Sequence, residues 1–310
     1  MKDTQIVILN WNNAVDTVES IKSILADDVY IAILDNNSTD DSVAIIKRML
    51  EETLVSVAVI NTDEIERLYE LVAKVIIIKS GKNLGFAKGV NVVLRQVLNN
   101  DAIQYAWLLN NDAIAKSDAL QKMKKTIGRD DSIAFSGSLV MDYYDRDKVQ
   151  CCGVKYYKYF GVSKLILKNV KWSEVDKANL PLSEIDYLNG ASLLVKMDVV
   201  REIGLLDERY FLYSEEHDWQ YRAEKAGYKN ELAVDSVVYH KGSMSTNAEK
   251  FRFFYYYNKS AILFSRAHYN IFIALLASCM LTVITLQRTK LNMKSLGWGM
   301  RGIGEAWTNK

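Results

Sequence analysis

Residues 5–41 read QIVILNWNNAVDTVESIKSILADDVYIAILDNNSTDD, and this stretch decides the fold. Gln5–Leu9 is an apolar run of strand length. Ala14–Leu25 follows with helical spacing through Val15, Val18, Ile21, Ile24 and Leu25. Tyr30–Leu34 is a second apolar run, ending on Asp35. Ser38-Thr39-Asp40-Asp41-Ser42 then supplies the hydroxyls and acids that open a helix over Val43–Leu50. Strand, helix, strand, helix at this spacing specifies parallel βαβ units.

The alternation continues outward. Val75–Ile78, Tyr105–Leu109 and Ile133–Ser136 read as strands, with helices over Ala87–Leu98 and Ser117–Ile127. Leu54–Ala73 reads as an inserted strand–helix excursion. Asp142–Ile185, rich in Tyr and Lys, reads as hairpins beside a cleft. Helical spacing returns at Met197–Ile203 and Glu215–Ala226, and a strand over Leu232–Tyr239 leads to His240. The expected class is α/β, with a mostly parallel central sheet flanked by helices.

Ligands of such open sheets lie beyond the carboxyl ends of the strands. The polar groups there are Asn10-Trp11-Asn12, Asp35-Asn36-Asn37 and Asn110-Asn111-Asp112, one rim in space. No G-x-G-x-x-G follows the first strand and no G-x-x-x-x-G-K-[ST] occurs, so a nicotinamide, flavin or P-loop site has no support. Gly85 and Gly89, between a strand and a helix, permit close backbone approach to a ligand or tight packing. Asp112, at a strand end, is a candidate ligand for a hard cation bridging two phosphates, or simply turn chemistry. In Tyr213–Trp219, helical geometry sets Glu215, Asp218 and Arg222 on one face. Glu216 stands about a quarter-turn away. Asp218 can therefore pair with Arg222, leaving one carboxylate free to face a cleft.

Six blocks, in order, resemble glycosyltransferase family 2, the inverting group of the GT-A fold, and its rhamnosyltransferase-like branch. They are Val7–Asn12, Leu34–Asp40, Asn83–Asn91, Leu109–Ala113, Gly204–Arg222 and Val238–His240. The resemblance runs from Ile6 to about Ser245. It implies a transferase moving a sugar, rhamnose among the candidates, from a dTDP- or UDP-linked donor to a glycan or lipid-linked acceptor in cell-surface polysaccharide synthesis. It implies that Asp35 and Asn10 line the nucleotide pocket with Asn12, Asn37, Asn83, Gly85 and Asn111. Asp112 and His240 would hold Mn²⁺ or Mg²⁺, Glu216 would be the general base, and Gly190, Glu215 and Asp218 would lie on the substrate side. Two departures stand out: the family's aspartate base is Glu216 here, and Asn110 and Asn111 replace an acid and a proline. A catalytically degenerate nucleotide- or glycan-binding relative is the first alternative. A sugar nucleotidyltransferase is the second, although Asn10–Val15 lacks the glycine-rich basic loop it needs.

The expected organisation is a catalytic domain over 1–245, divided near 140 into a nucleotide-sugar half and an acceptor half, with a tail over 246–310. Charge separates them. The chain carries 39 Lys/Arg and 38 Asp/Glu, but from Lys241 onward there are ten basic residues against two acids, Glu249 and Glu305. An acidic body thus bears a basic tail, whose natural partner is an anionic surface. Nucleic acid is not an expected partner. Ile271–Leu286 is sixteen residues without a charge, short for a spanning helix. It reads as a helix lying in a membrane interface, packed on the domain, or pairing two copies of the chain. Three unpaired-looking cysteines and no signal-peptide layout at Met1–Trp11 lead to a cytoplasmic expectation, peripheral on the membrane.

Overall fold

The computed structural model describes residues 2–242, 250–290 and 292–308. The domain boundary expected near residue 245 lies outside them. The first half follows the alternation: β1 (Thr4–Asn10), α1 (Ala14–Ile24), β2 (Tyr30–Asp35), α2 (Ser42–Glu51), β3 (Val57–Asn61), β4 (Val75–Lys79), α3 (Phe86–Leu98), β5 (Tyr105–Leu109), β6 (Ala113–Ala115) and α4 (Ala119–Ile127). The second half runs β7 (Ile133–Asp142), β8 (Val149–Cys151), β9 (Val154–Tyr157), β10 (Val162–Leu165), β11 (Ser192–Lys196), α5 (Met197–Ile203), α6 (Glu215–Lys225) and β12 (Lys229–His240). Three helices close the chain: α7 (Lys250–His268), α8 (Ile271–Thr289) and α9 (Met293–Thr308).

The main sheet runs β3-β4-β2-β1-β5-β11-β7-β12-β6, with β8 on β7. Pairings among β3, β4, β2, β1 and β5 are all parallel. β11 enters antiparallel between β5 and β7, and β7 then runs parallel to β12. The sheet is mostly parallel but mixed. The excursion at 54–73 resolves into the edge strand β3 and a 3₁₀ turn over Thr62–Tyr69, whose Leu68 is buried beneath α3. β7 extends six residues past the expected Ser136, because register with β12 carries its pairing to Asp142.

Both faces of the sheet are covered, so the central strands read as unbroken apolar runs. Val7, Leu34, Ile78, Leu108 and Val195 pack beneath α3 and α5. Ile6, Ile8, Ile33, Trp107 and Leu194 pack beneath α1, α2 and α4. The closing helices form a third cluster, in which Ile262, Phe264, Ala277 and Leu281 meet Tyr210. The helical tail is therefore docked on the sheet domain. Gly302 is what lets α9 approach α7, since a Cβ there would stand 2.3 Å from the Tyr255 carbonyl oxygen.

Candidate active site

The carboxyl ends of β1 and β2 are tied by side chains. Asn10 is fully buried, and its amide donates to Asp35 Oδ1 at 2.8 Å while its carbonyl accepts from Thr17 Oγ1 at 2.7 Å. Asp35 Oδ1 also accepts from Ser38 Oγ, whereas Oδ2, among the described residues, takes only the Ser38 backbone N–H, at 3.1 Å. One Asp35 oxygen thus keeps accepting capacity toward the rim. Asn12, at φ 52°, accepts from Thr39 N and joins the two loops. Asn37, at φ 59°, is exposed on the same rim. Asn36 reaches across to the next loop, accepting from Leu84 N at 2.7 Å and donating to Asn83 Oδ1.

Gly85 sits at φ 75°, and a Cβ there would lie 2.5 Å from the Phe211 carbonyl oxygen. No side chain fits. The 83–91 loop is thereby pressed onto the segment leading to α6, where Asn91 clamps Leu206 through its backbone N–H and C=O.

Across 128 residues of sequence, β12 brings His240 beside Asp112, with Nε2 3.0 Å from Oδ1. The antiparallel pairing His240↔Ala113 sets this register. Burial would raise the Asp112 carboxyl, but hydrogen bonding to His240 and the charge of that ring hold it below its ordinary value. Gln150 fixes which ring nitrogen faces the carboxylate. Its amide nitrogen donates to the His240 backbone carbonyl at 3.1 Å, so its oxygen faces Nδ1, 2.5 Å away, and accepts from it. With Nδ1 engaged by Gln150, Nε2 is left facing the Asp112 carboxylate, with the Asn110 amide nitrogen 3.3 Å away, and a proton on Nε2 or a cation between the two groups satisfies that approach. The donor set, one carboxylate oxygen and one imidazole nitrogen oriented by an outer amide, fits a divalent ion and suits Mn²⁺ better than Mg²⁺. Among the described residues no group of three His, Cys, Asp or Glu could hold a metal. Further ligands would be diphosphate oxygens and water. Asn111 turns away and donates to Thr17 Oγ1 at 3.0 Å.

The carboxylates of α6 arrive through a strained turn, with Tyr213 and Ser214 both in the left-handed region at φ 69° and 66°. Glu215 is buried, and its Oε2 finds no hydrogen-bond partner among the described residues. Burial, then the neighbouring Glu216 charge, pushes its pKa well above the ordinary carboxylate range. Glu216 remains partly accessible, and burial raises its carboxyl too. It packs against Gly190, where a Cβ would stand 3.5 Å from its Cγ. The next residue, Ala191, accepts from Asn110 N at 3.0 Å. One short segment therefore links the Glu216 carboxylate to the turn bearing Asp112. Gln220 holds that segment, accepting from Leu188 N at 2.7 Å and donating to Leu188 O at 2.9 Å.

Asp218 faces inward. Its carboxylate accepts from Arg222 Nε at 2.8 Å, the pair expected from helical spacing, and meets His268 Nε2 at 2.6 Å. The Tyr210 hydroxyl adds a third partner at 3.4 Å. Glu215 does not join the Arg222 face; Arg222 turns to the carbonyls of Ile203 and Leu205. His217 lies between the rings of Tyr187 and Phe264, and burial, then His268, depresses its pKa far below the ordinary value. A cleft of about 370 Å³ lined by Lys155, Tyr156, His217, Tyr221 and Tyr269 opens on that side of α6. Gln150 and Gln220 were not singled out in the sequence. Neutral amides carry no pattern, and only the hairpin reading of Asp142–Ile185 covers the strand bearing Gln150.

Residues 5–150 match the family model for glycosyl transferase family 2. The chain carries a family 2 glycosyltransferase domain. An 80-residue stretch is 31% identical to N-acetylglucosaminyl-diphospho-decaprenol L-rhamnosyltransferase of Mycobacterium tuberculosis, covering 26% of each chain. The match thus spans about a quarter of that relative's length. The chain superposes on the mannosyltransferase PcManGT from Pyrobaculum calidifontis, solved with GDP-Man and Mn²⁺. The TM-score is 0.57 at 13% identity, over 99% of this chain and 76% of that one. For GalNAc-T7, solved with UDP, GalNAc and Mn²⁺, the TM-score is 0.59 at 13% identity, over 100% of this chain and 56% of that one. The glycosyltransferase fold is GT-A.

Proposed function

We propose that this chain is an inverting glycosyltransferase that moves a sugar, rhamnose foremost among the candidates, from a UDP- or dTDP-linked donor to a hydroxyl of a glycan or lipid-linked acceptor in cell-surface polysaccharide synthesis. The observation that carries the reading is the Asp112–His240 pair, oriented by Gln150 and linked through Gly190–Ala191 to the accessible Glu216. The relative's lipid-linked acceptor and rhamnosyl activity support the finer choice of substrates. The free thiols of Cys151, Cys152 and Cys279 favour a reducing compartment for the reaction.

The chemistry is one in-line displacement. The acceptor oxygen attacks the anomeric carbon from the face opposite the diphosphate as its proton passes to Glu216. The carbon–oxygen bond to phosphate breaks with its electron pair leaving on the diphosphate. The raised pKa of Glu216 brings its proton affinity nearer that of the hydroxyl at neutral pH. Asp112 and His240 would hold a divalent cation, whose positive charge stabilises the departing diphosphate when bound. Asp35 would take a base N–H with its less engaged oxygen.

A ligand bound only by the native state raises the melting temperature, so a panel of nucleotide sugars with and without Mn²⁺ is the direct test. Metal-dependent stabilisation by UDP- or dTDP-sugars is expected, together with slow donor hydrolysis. Stabilisation without hydrolysis or transfer to any acceptor would instead indicate a degenerate binder. No stabilisation by any nucleotide would overturn the reading.

A further inference from the structure

We infer that the outer row of α8, with the neighbouring β9–β10 turn, is a docking surface for an anionic lipid bilayer, on which α8 lies in the membrane plane. The row consists of Ile271, Phe272, Leu275, Leu276, Val283 and Leu286, all exposed, with Phe272 at 78%. No charge interrupts it between Ile271 and Gln287. A soluble surface helix normally turns such a row inward. Here the inward row is the smaller and more polar one, Ala274, Ala277, Ser278, Leu281 and Thr285.

The turn adds to the surface. Gly161 rests on α8, its Cβ position 3.0 Å from Leu281 Cδ1, and Tyr159 and Phe160 beside it are exposed. The surrounding charge selects the occupant. From residue 250 to 308 there are eight Lys/Arg and one acid, Glu305, which is engaged by Lys259, Arg301 and Tyr255. Arg288, Lys290 and Lys294 follow the apolar row directly. Two copies apposed on this face would bring like charges together, whereas anionic headgroups complement them.

Length alone would let α8 cross, since it is the one helix among the described residues that is long and apolar enough. Its inner row forbids that. Ser278 accepts from Trp307 and Thr285 from Asn258, so crossing would draw α7 and α9, with Lys259, Arg266 and Glu305, into hydrocarbon.

The inference is independent of the proposed reaction, because its readout is binding. The full chain is floated with vesicles of phosphatidylcholine alone and of equal parts phosphatidylcholine and phosphatidylglycerol. Flotation with the anionic vesicles only, reduced by salt, is expected. Phe272→Ser with Leu276→Ser should weaken it about tenfold or more at unchanged melting temperature, since both side chains are exposed. Charge reversal at Arg288, Lys290 and Lys294 should weaken it independently. Absence of flotation, flotation indifferent to either variant, carbonate-resistant insertion, or a dimer dissolved by the serine variant would each overturn the inference.

Discussion

Asp112, His240 and Gln150 make up a chain in which each group sets the next one's orientation, and its members should fail differently. Asp112→Asn removes the carboxylate from the pair. Transfer should be lost and Mn²⁺ should no longer strengthen nucleotide-diphosphate binding, while the fold stays intact. Near-normal turnover with unchanged metal dependence would refute the assignment. Gln150→Leu keeps both proposed ligands but frees the His240 ring, and should weaken Mn²⁺ about 10–100-fold, as loss of an outer-shell partner does. Titrating Mn²⁺ against melting temperature in the presence of UDP reads both variants. Asp112 stood out in the sequence because a lone acid closes a strand. Its partner 128 residues away was legible only through family resemblance, because β12 and β6 meet through a pairing that no local pattern announces.

At the scale of an element, α6 divides its acids by depth. Glu216→Gln should lower kcat by about 10²–10⁴-fold with little change in donor KM, and should abolish the rise of rate with pH that marks a base. Glu215→Gln should act on stability instead. The folded carboxyl has a pKa raised above that of the unfolded chain. Its contribution is therefore fully present below the unfolded value, about 4.3, and is lost as pH climbs through the folded one. The Glu215→Gln melting curve should separate upward from wild type as pH increases from 4 to 8. Parallel curves would mean that Glu215 ionises without penalty. Asp218→Asn should leave the half-buried Arg222 under-compensated and loosen α7 through His268. A loss of about 3 kcal/mol, or about 6–10 °C, is the expected size in calorimetry. Helical periodicity separated the Asp218 and Glu216 directions correctly. It could not show that Glu215 Oε2 has no hydrogen-bond partner among the described residues, because burial is set by the tertiary fold and not by helical spacing.

For the whole molecule, the alternation of apolar runs and amphipathic helices carried the parallel half of the sheet almost to the residue. It stopped at β11. Ser192–Lys196 is five residues running straight into α5, and its antiparallel placement follows from β5 and β7 both needing a partner. The apolar run in the tail was equally plain in sequence, but not the seat of α7 against α6. That seat is made by Phe264 stacking on His217 and by Ser260 Oγ donating to the Leu212 carbonyl, contacts between positions about 50 residues apart.

The late arrival of β11 also imposes a timetable on a chain emerging from a ribosome. The strands β1 to β5 can assemble with their helices early, since every one of them finds a neighbour within residues 4–109. β7 cannot join them, because the strand that lies between is synthesised some fifty residues later, and β12 later still. At about 5–20 residues per second, the turn bearing Asp112 waits about 6–26 s for His240 to be translated. The rim at the ends of β1 and β2 can therefore be in place while the Asp112–His240 pair does not yet exist. A nascent chain halted before Ser192 would carry a finished half-sheet with an open edge at β5, a species for chaperones to hold.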